Sequence, residues 1–169
     1  MAVLQYLLAV LLTISSTACS SLTDGASPPA ADAAPPQTAE QFVAALAATI
    51  PTVRPSIVYT AQTDPNELLG TPGSYTSKAA FTDSRINPAT ADDTEVGSIE
   101  LGGSVEVFAV DADARARKDY LEETLRGLPI NVSEYSYLRG TVLLRVSRRL
   151  DPRQAAEYEA ALDSSVTAR

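Results

Sequence analysis

The sequence contains no histidine and no tryptophan, and it has a single cysteine. Without histidine the chain lacks the commonest general base and the commonest metal-ligating side chain. A lone cysteine has no partner within the chain, so no disulfide framework holds the fold together. Only three phenylalanines are present, which leaves aliphatic residues and seven tyrosines to fill a core. Positive charge is scarce too, with 13 Lys and Arg against 21 Asp and Glu, a net charge of −8. That balance opposes general binding to nucleic acid or to an anionic membrane face. Neither a glycine-rich phosphate loop nor a metal-ligand spacing occurs, so no cofactor and no metal are expected.

What is present begins with an apolar run. Val3 to Ile14 is broken only by Gln5, Tyr6 and Thr13, and small residues follow up to Cys19. A run of about 12 residues is too short to span a bilayer and reads as an export signal. Ser16-Thr17-Ala18-Cys19 resembles the lipobox of bacterial lipoproteins, with Ser16 where leucine is usual. That resemblance implies that Cys19 carries a diacylglyceryl group and holds the protein at the outer face of the cell membrane. Ordinary cleavage after Ala18 would instead give a secreted protein. Residues 1–18 are therefore read as a signal peptide. Residues 19–38 form an anchor and tether, since Pro, Ala, Ser and Asp cannot bury enough surface to order it. Residues 39–169 are read as one domain of ordinary size.

Within that domain, Phe42, Val43, Leu46 and Ile50 form a helical stripe that Pro51 ends. A β-branched strand follows Pro55. Thr63 to Gly73 is crowded with turn residues but includes Leu68 and Leu69, which predicts a packed loop. Tyr75, Ser77, Ala79 and Phe81 would share one face of the next strand, and residues 87–94 form a polar loop. Strands at 98–101 and 104–110 flank Gly102-Gly103, a pair suited to a hairpin turn. Asp111 is the expected N-cap of a helix stopped by Gly127 and Pro129. Its stripe is Ala114, Leu121 and Leu125, with Tyr120 beside it. A second hairpin turns at Arg139-Gly140. In its second strand Val142, Leu144 and Val146 point inward and Arg145 outward. Asp151-Pro152-Arg153-Gln154 is a capping box that opens a last helix. The hairpin–helix unit thus occurs twice, at 98–126 and 134–163. The expected fold is an α+β two-layer sandwich, an antiparallel sheet with helices packed on one face.

The runs YTAQTDPNELLGTPGSYTSKAAF, GGSVEVFA and EYSYLRGTVLLRVS, the last followed by DPRQAAEYEAAL, resemble a group of small secreted lipoproteins of Gram-positive bacteria. The resemblance implies the location and a single domain. It implies no activity and carries no catalytic residue.

Ser77-Lys78 invites a nucleophile-and-base reading, yet adjacent strand residues point to opposite faces. Asp92-Asp93 and Asp111-Ala-Asp113 could offer carboxylates to calcium, though a solvated loop and a helix cap explain them as well. Arg145, Arg148 and Arg149 could form a patch for phosphate-bearing lipid or wall polymer. Leu68, Leu69 and Tyr75 on the 63–75 loop could contact a protein partner, since long ordered loops are often functional. The reading that follows is a non-enzymatic, anchored domain binding a protein or an envelope component. Its rivals are a cell-envelope hydrolase and an inhibitor module presenting the 63–75 loop.

Overall fold

The alternation of residues 142–147 sets the pattern for the sheet. In the computed structural model, which describes residues 37–126 and 133–167, these residues form its fifth strand. The elements are α1 (Ala39–Thr49), β1 (Val53–Val58), β2 (Tyr75–Asp83), β3 (Gly102–Phe108), α2 (Asp111–Leu125), β4 (Glu134–Arg139), β5 (Val142–Ser147) and α3 (Pro152–Thr167). All strand pairs are antiparallel, in the order β1-β2-β3-β5-β4.

On one face Ala79, Phe81, Val105, Leu144 and Val146 meet Phe42, Val43 and Leu46 of α1 and Tyr158 and Leu162 of α3. The Phe81 and Tyr158 rings stack with centroids 5.4 Å apart. Residues of the other parity, Phe108 and Leu143, pack with Ala114 and Leu121 of α2. The protein is an α+β fold, a two-layer sandwich of an antiparallel sheet against α1 and α3. Not all the helices share that face, contrary to what the sequence led us to expect: α2 packs on the second face, where it and the 87–101 segment add a partial cover.

Both caps of the outer helical layer are sequence-encoded. Thr38 and Gln41 form a capping box on α1. Asp151 Oδ1 accepts from the N–H groups of Arg153 and Gln154 on α3, while Gln154 Oε1 accepts from Asp151 N–H.

Five further details differ from the expectations. Gly102-Gly103 is no hairpin turn; residues 99–101 form a 3₁₀ turn and the two glycines open β3. A Cβ there would sit 2.3 Å from Phe81 O at Gly102 and 2.2 Å from Arg145 O at Gly103. These glycines serve close strand approach, so the hairpin–helix unit occurs once, at 134–163. Asp111 does not cap α2; the cap is Val110, with no side-chain bond, and Asp111 and Asp113 lie in the first turn. There they favour the helix through its dipole. The second hairpin turns at Gly140-Thr141, with Gly140 at φ +54° and Arg139 paired to Val142. A bulge between Tyr75 and Ser77 inverts the parity, sending Tyr75 to the α2 face. Arg145 does not face solvent: its side chain is 13% exposed, paired with Glu106 and Glu134.

Leu144→Ala leaves a cavity under α1 and α3 and should cost about 2–5 kcal/mol. Arg145→Ala leaves the buried Glu134 carboxylate without its cation and Glu106 with Arg117 alone, and should cost a similar amount, about 3–5 kcal/mol. Arg139, paired with Glu159 and Asp163 at the surface, should lose under about 1 kcal/mol as Arg139→Ala. Denaturant melts in which Arg145→Ala matches Arg139→Ala would mean that the second face is open to water.

Candidate functional site

Strand alternation buries a charge. Lys78 sits mid-strand in β2 on the second face and is 5% exposed. Its Nζ donates to Asp64 Oδ1 at 2.8 Å and lies 4.6 Å from the Tyr59 ring centroid. Asp64 stands near the start of the 63–75 loop and organises it. Oδ2 accepts from Tyr75 Oη at 2.5 Å and from the N–H groups of Leu68 at 3.0 Å and Leu69 at 3.1 Å. Wrapping the backbone around one carboxylate places Glu67 at φ 56°, a conformation that surrounding contacts must hold.

Burial alone would raise the Asp64 carboxyl, but the bonds from Lys78, Tyr75 and Leu68 N–H outweigh it. They hold Asp64 well below the usual carboxylate range. Burial, and then the hydrogen bond to Asp64, push the Tyr75 hydroxyl upward. Burial lowers the Lys78 ammonium, against the pull of Asp64 and Glu106.

The network continues across the sheet. Glu106, fully buried, accepts from Arg117 Nε at 3.2 Å and Arg145 Nη1 at 3.3 Å. Arg145 also grips Glu134 with Nε at 2.8 Å and Nη2 at 2.7 Å. Asp64, Glu106 and Glu134 thus balance Lys78, Arg117 and Arg145.

Above this floor lies a groove of about 620 Å³ between the 66–74 segment and α2. Leu68 and Pro72 line one wall; Arg117, Tyr120 and Leu121 line the other, with Phe108 between. Tyr120 is 61% exposed, and the Arg117 guanidinium lies 5.8 Å from its ring and 5.9 Å from that of Tyr75. The sequence marked Tyr120 only as a neighbour of the buried stripe. Its signal was an aromatic at an exposed helical position with an arginine three residues earlier, one turn away.

Leu68 and Leu69 are half-buried and pack against the cluster of Tyr75, Phe108, Ala114, Leu121 and Leu143. Of the pair only Leu68 lines the groove. Tyr75 is wholly buried, so it supports the loop from below and offers no contact surface.

The three arginines read as an anion patch differ in burial and in what they contact. Arg145 is in the buried network. Arg149 Nη2 reaches Glu100 at 2.5 Å and Asp92 at 3.4 Å. Arg148 is exposed and lies over the Tyr135 ring at 4.1 Å. Ser77 and Lys78 part company as alternation requires: Ser77 Oγ accepts the Ala39 N–H at 2.9 Å on the α1 face. Lys78 does not line the groove. Among the described residues no group of three or more His, Cys, Asp or Glu side chains is placed to hold a metal ion. No helix among them is long and apolar enough to cross a membrane. Cys19 lies outside the described residues.

No protein-family model, no curated protein and no solved structure matches this chain.

Two tests address the network. Asp64 and, under α3, Asp83 both have carboxyls held below their ordinary value of 3.8. A folded-state value below the unfolded one gives stability that is full above about pH 3.8 and lost as pH falls below it. Asp64→Asn should be less stable at neutral pH and show a shallower acid loss. Equal losses for wild type and variant between about pH 4 and pH 2 would remove Asp64 from that role. Leu68→Ser with Leu69→Ser should lower the melting temperature markedly; an unchanged melt would place both leucines outside the core.

Proposed function

We propose that this chain is a non-enzymatic, lipid-anchored extracytoplasmic domain that recognises a protein or envelope component through the groove between the 63–75 loop and α2. The observation that carries the reading is Tyr120, an aromatic left 61% exposed on a helix whose facing loop is fixed from below. A groove of about 620 Å³ lies within the usual range of ligand sites, roughly 300–1,000 Å³. Tyrosine supplies large contact area with little entropy lost, and a few such side chains dominate most interfaces. The loop facing it is ordered before any partner arrives, because Asp64 holds the N–H groups of Leu68 and Leu69. Little further ordering is therefore needed on binding. The lysine whose protonation is perturbed does not line the groove, which favours recognition over hydrolysis. Anchoring rests on the lipobox-like Ser16 to Cys19 and on the likeness to small Gram-positive lipoproteins.

The reading is tested in whole cells with a photo-crosslinking residue at position 120 and, as control, at exposed Ala160 on α3. One defined adduct at 120 that is absent at 160 is expected. No adduct at 120, or the same species at both positions, removes the groove. Cys19→Ser should shift the protein from the membrane fraction to the precursor or the medium; unmodified Cys19 in the mature wild type would remove the anchor.

A further inference from the structure

Among the described residues the sheet has two edges, β1 and β4, and they are built differently. An edge strand offers unpaired N–H and C=O groups, and proteins usually guard it with proline, a bulge or a covering element. β1 is guarded in two ways: it contains Pro55, and its register with β2 breaks between Pro55 and Ile57. β4 has neither device. Its sequence, EYSYLR, keeps unbroken register with β5 from Glu134↔Ser147 to Arg139↔Val142. An open hollow of about 470 Å³ is lined by its own Tyr135, Ser136 and Tyr137 together with Leu125 and Arg148.

The turn fixes which groups point outward. Gly140-Thr141 is a two-residue connection, so Arg139 and Val142 form the hydrogen-bonded pair that closes the hairpin. Bonding alternates along an antiparallel ladder. Residues 135, 137 and 139 therefore bond to β5, while 134, 136 and 138 aim their N–H and C=O groups away from it. Two of those carbonyls accept from arginine side chains that an incoming strand would have to displace, Glu134 O from Arg148 Nε at 3.4 Å and Leu138 O from Arg139 Nη1 at 2.9 Å.

We propose that β4 is a pairing edge and that its occupant is β4 of a second copy of this chain, antiparallel and centred on Ser136. A second copy is self-complementary to this edge. A twofold axis through the sheet keeps each face on its own side, so only residues of like parity can oppose each other. Centring on Ser136 sets Ser136 against its own counterpart and Glu134 against Leu138, all with outward hydrogen-bonding groups. Tyr135 then opposes Tyr137 on both sides of the axis. These are non-hydrogen-bonded pairs, where side chains approach most closely, and aromatic cross-strand pairs are favourable. Charge does not oppose the contact, since Glu134 is already paired with Arg145, and Arg139 with Glu159 and Asp163. Five residues a side, 134–138 of β4, bury less than the roughly 1,000 Å² of a lasting interface, so the dimer is a transient one. The inference is independent of the groove and of what the groove binds.

The test uses the full chain with Cys19→Ser, to remove the competing thiol. Opposed residues of a hydrogen-bonded pair have Cα atoms about 5.5 Å apart, within disulfide reach. Under mild oxidation Ser136→Cys should give a self-linked dimer, and Ser56→Cys on β1 should give none. Ser136→Pro removes an N–H that serves no bond to β5, so it should keep the far-ultraviolet spectrum and a cooperative melt. It should also abolish the concentration-dependent dimer that sedimentation detects for the Cys19→Ser parent. Equal linking at both edges, a parent that stays monomeric at every concentration, or an adduct of Ser136→Cys only with a different protein would each overturn the proposal.

Discussion

A lysine ammonium buried in the middle of a strand constrains most of what surrounds it. Removing such an ion from water costs several kcal/mol unless a partner of opposite charge and good geometry meets it. Lys78 has no such partner on its own strand, so the 63–75 loop must fold back to bring Asp64 within 2.8 Å. The same logic applies one strand over. Glu106, buried on β3, draws in Arg117 from α2 and Arg145 from β5. Both walls of the groove are therefore fastened to the same floor, the loop through Asp64 and the helix through Arg117. Its geometry follows from charge pairing beneath it, not from contacts across it.

Composition explains why the core is polar in this way. With no tryptophan and three phenylalanines, tyrosine is the main bulky ring available, and a buried tyrosine hydroxyl needs a partner. Tyr75 and Tyr158 are both fully buried, and each donates to an aspartate at 2.5 Å. Each aspartate then needs a cation: Lys78 serves Asp64, and Arg85 serves Asp83. The two triads fall near opposite ends of β2 and on opposite faces. One ties the strand to the loop, and the other ties it to α3.

The parts legible in the sequence were those with a local period or a local cap. The α1 stripe, the alternation of β5 and the Asp151–Gln154 box each needs only near neighbours. The loop at 63–73 could be read as packed because two leucines sat among its turn residues. What failed was non-local. Alternation placed Arg145 opposite Leu144 but could not say what would cover it. The cover includes the 87–101 segment, whose Glu100 meets Ser147 and Arg149 with no periodicity to announce it. Gly102-Gly103 carries the same signal for a tight turn and for two strands approaching closely, and only the partner strands decide between them. Tyr75 was assigned to the wrong face because a single bulged residue inverts every side chain beyond it. Tyr120 was missed as a groove residue because exposure on a helix gains meaning only once a loop is known to stand opposite.

The sealed network also bears on what the groove can do. A perturbed lysine in a cleft is a common mark of catalysis, since a lowered ammonium supplies a base near neutral pH. That inference needs the amine to reach a substrate. Here the Tyr59 and Tyr75 rings flank Lys78 at 4.6 and 5.4 Å, and Asp64 accepts a hydrogen bond from its ammonium. Deprotonating the amine would leave Asp64 charged in a buried site without its cation, which opposes the neutral form that chemistry would require. The same atoms that would make a poor base make a stiff support, because opening the loop must break the ion pair and the Tyr75 bond together. The groove thus has a fixed floor, an exposed Tyr120 ring on one wall and the carboxylate of Asp113 in the same wall.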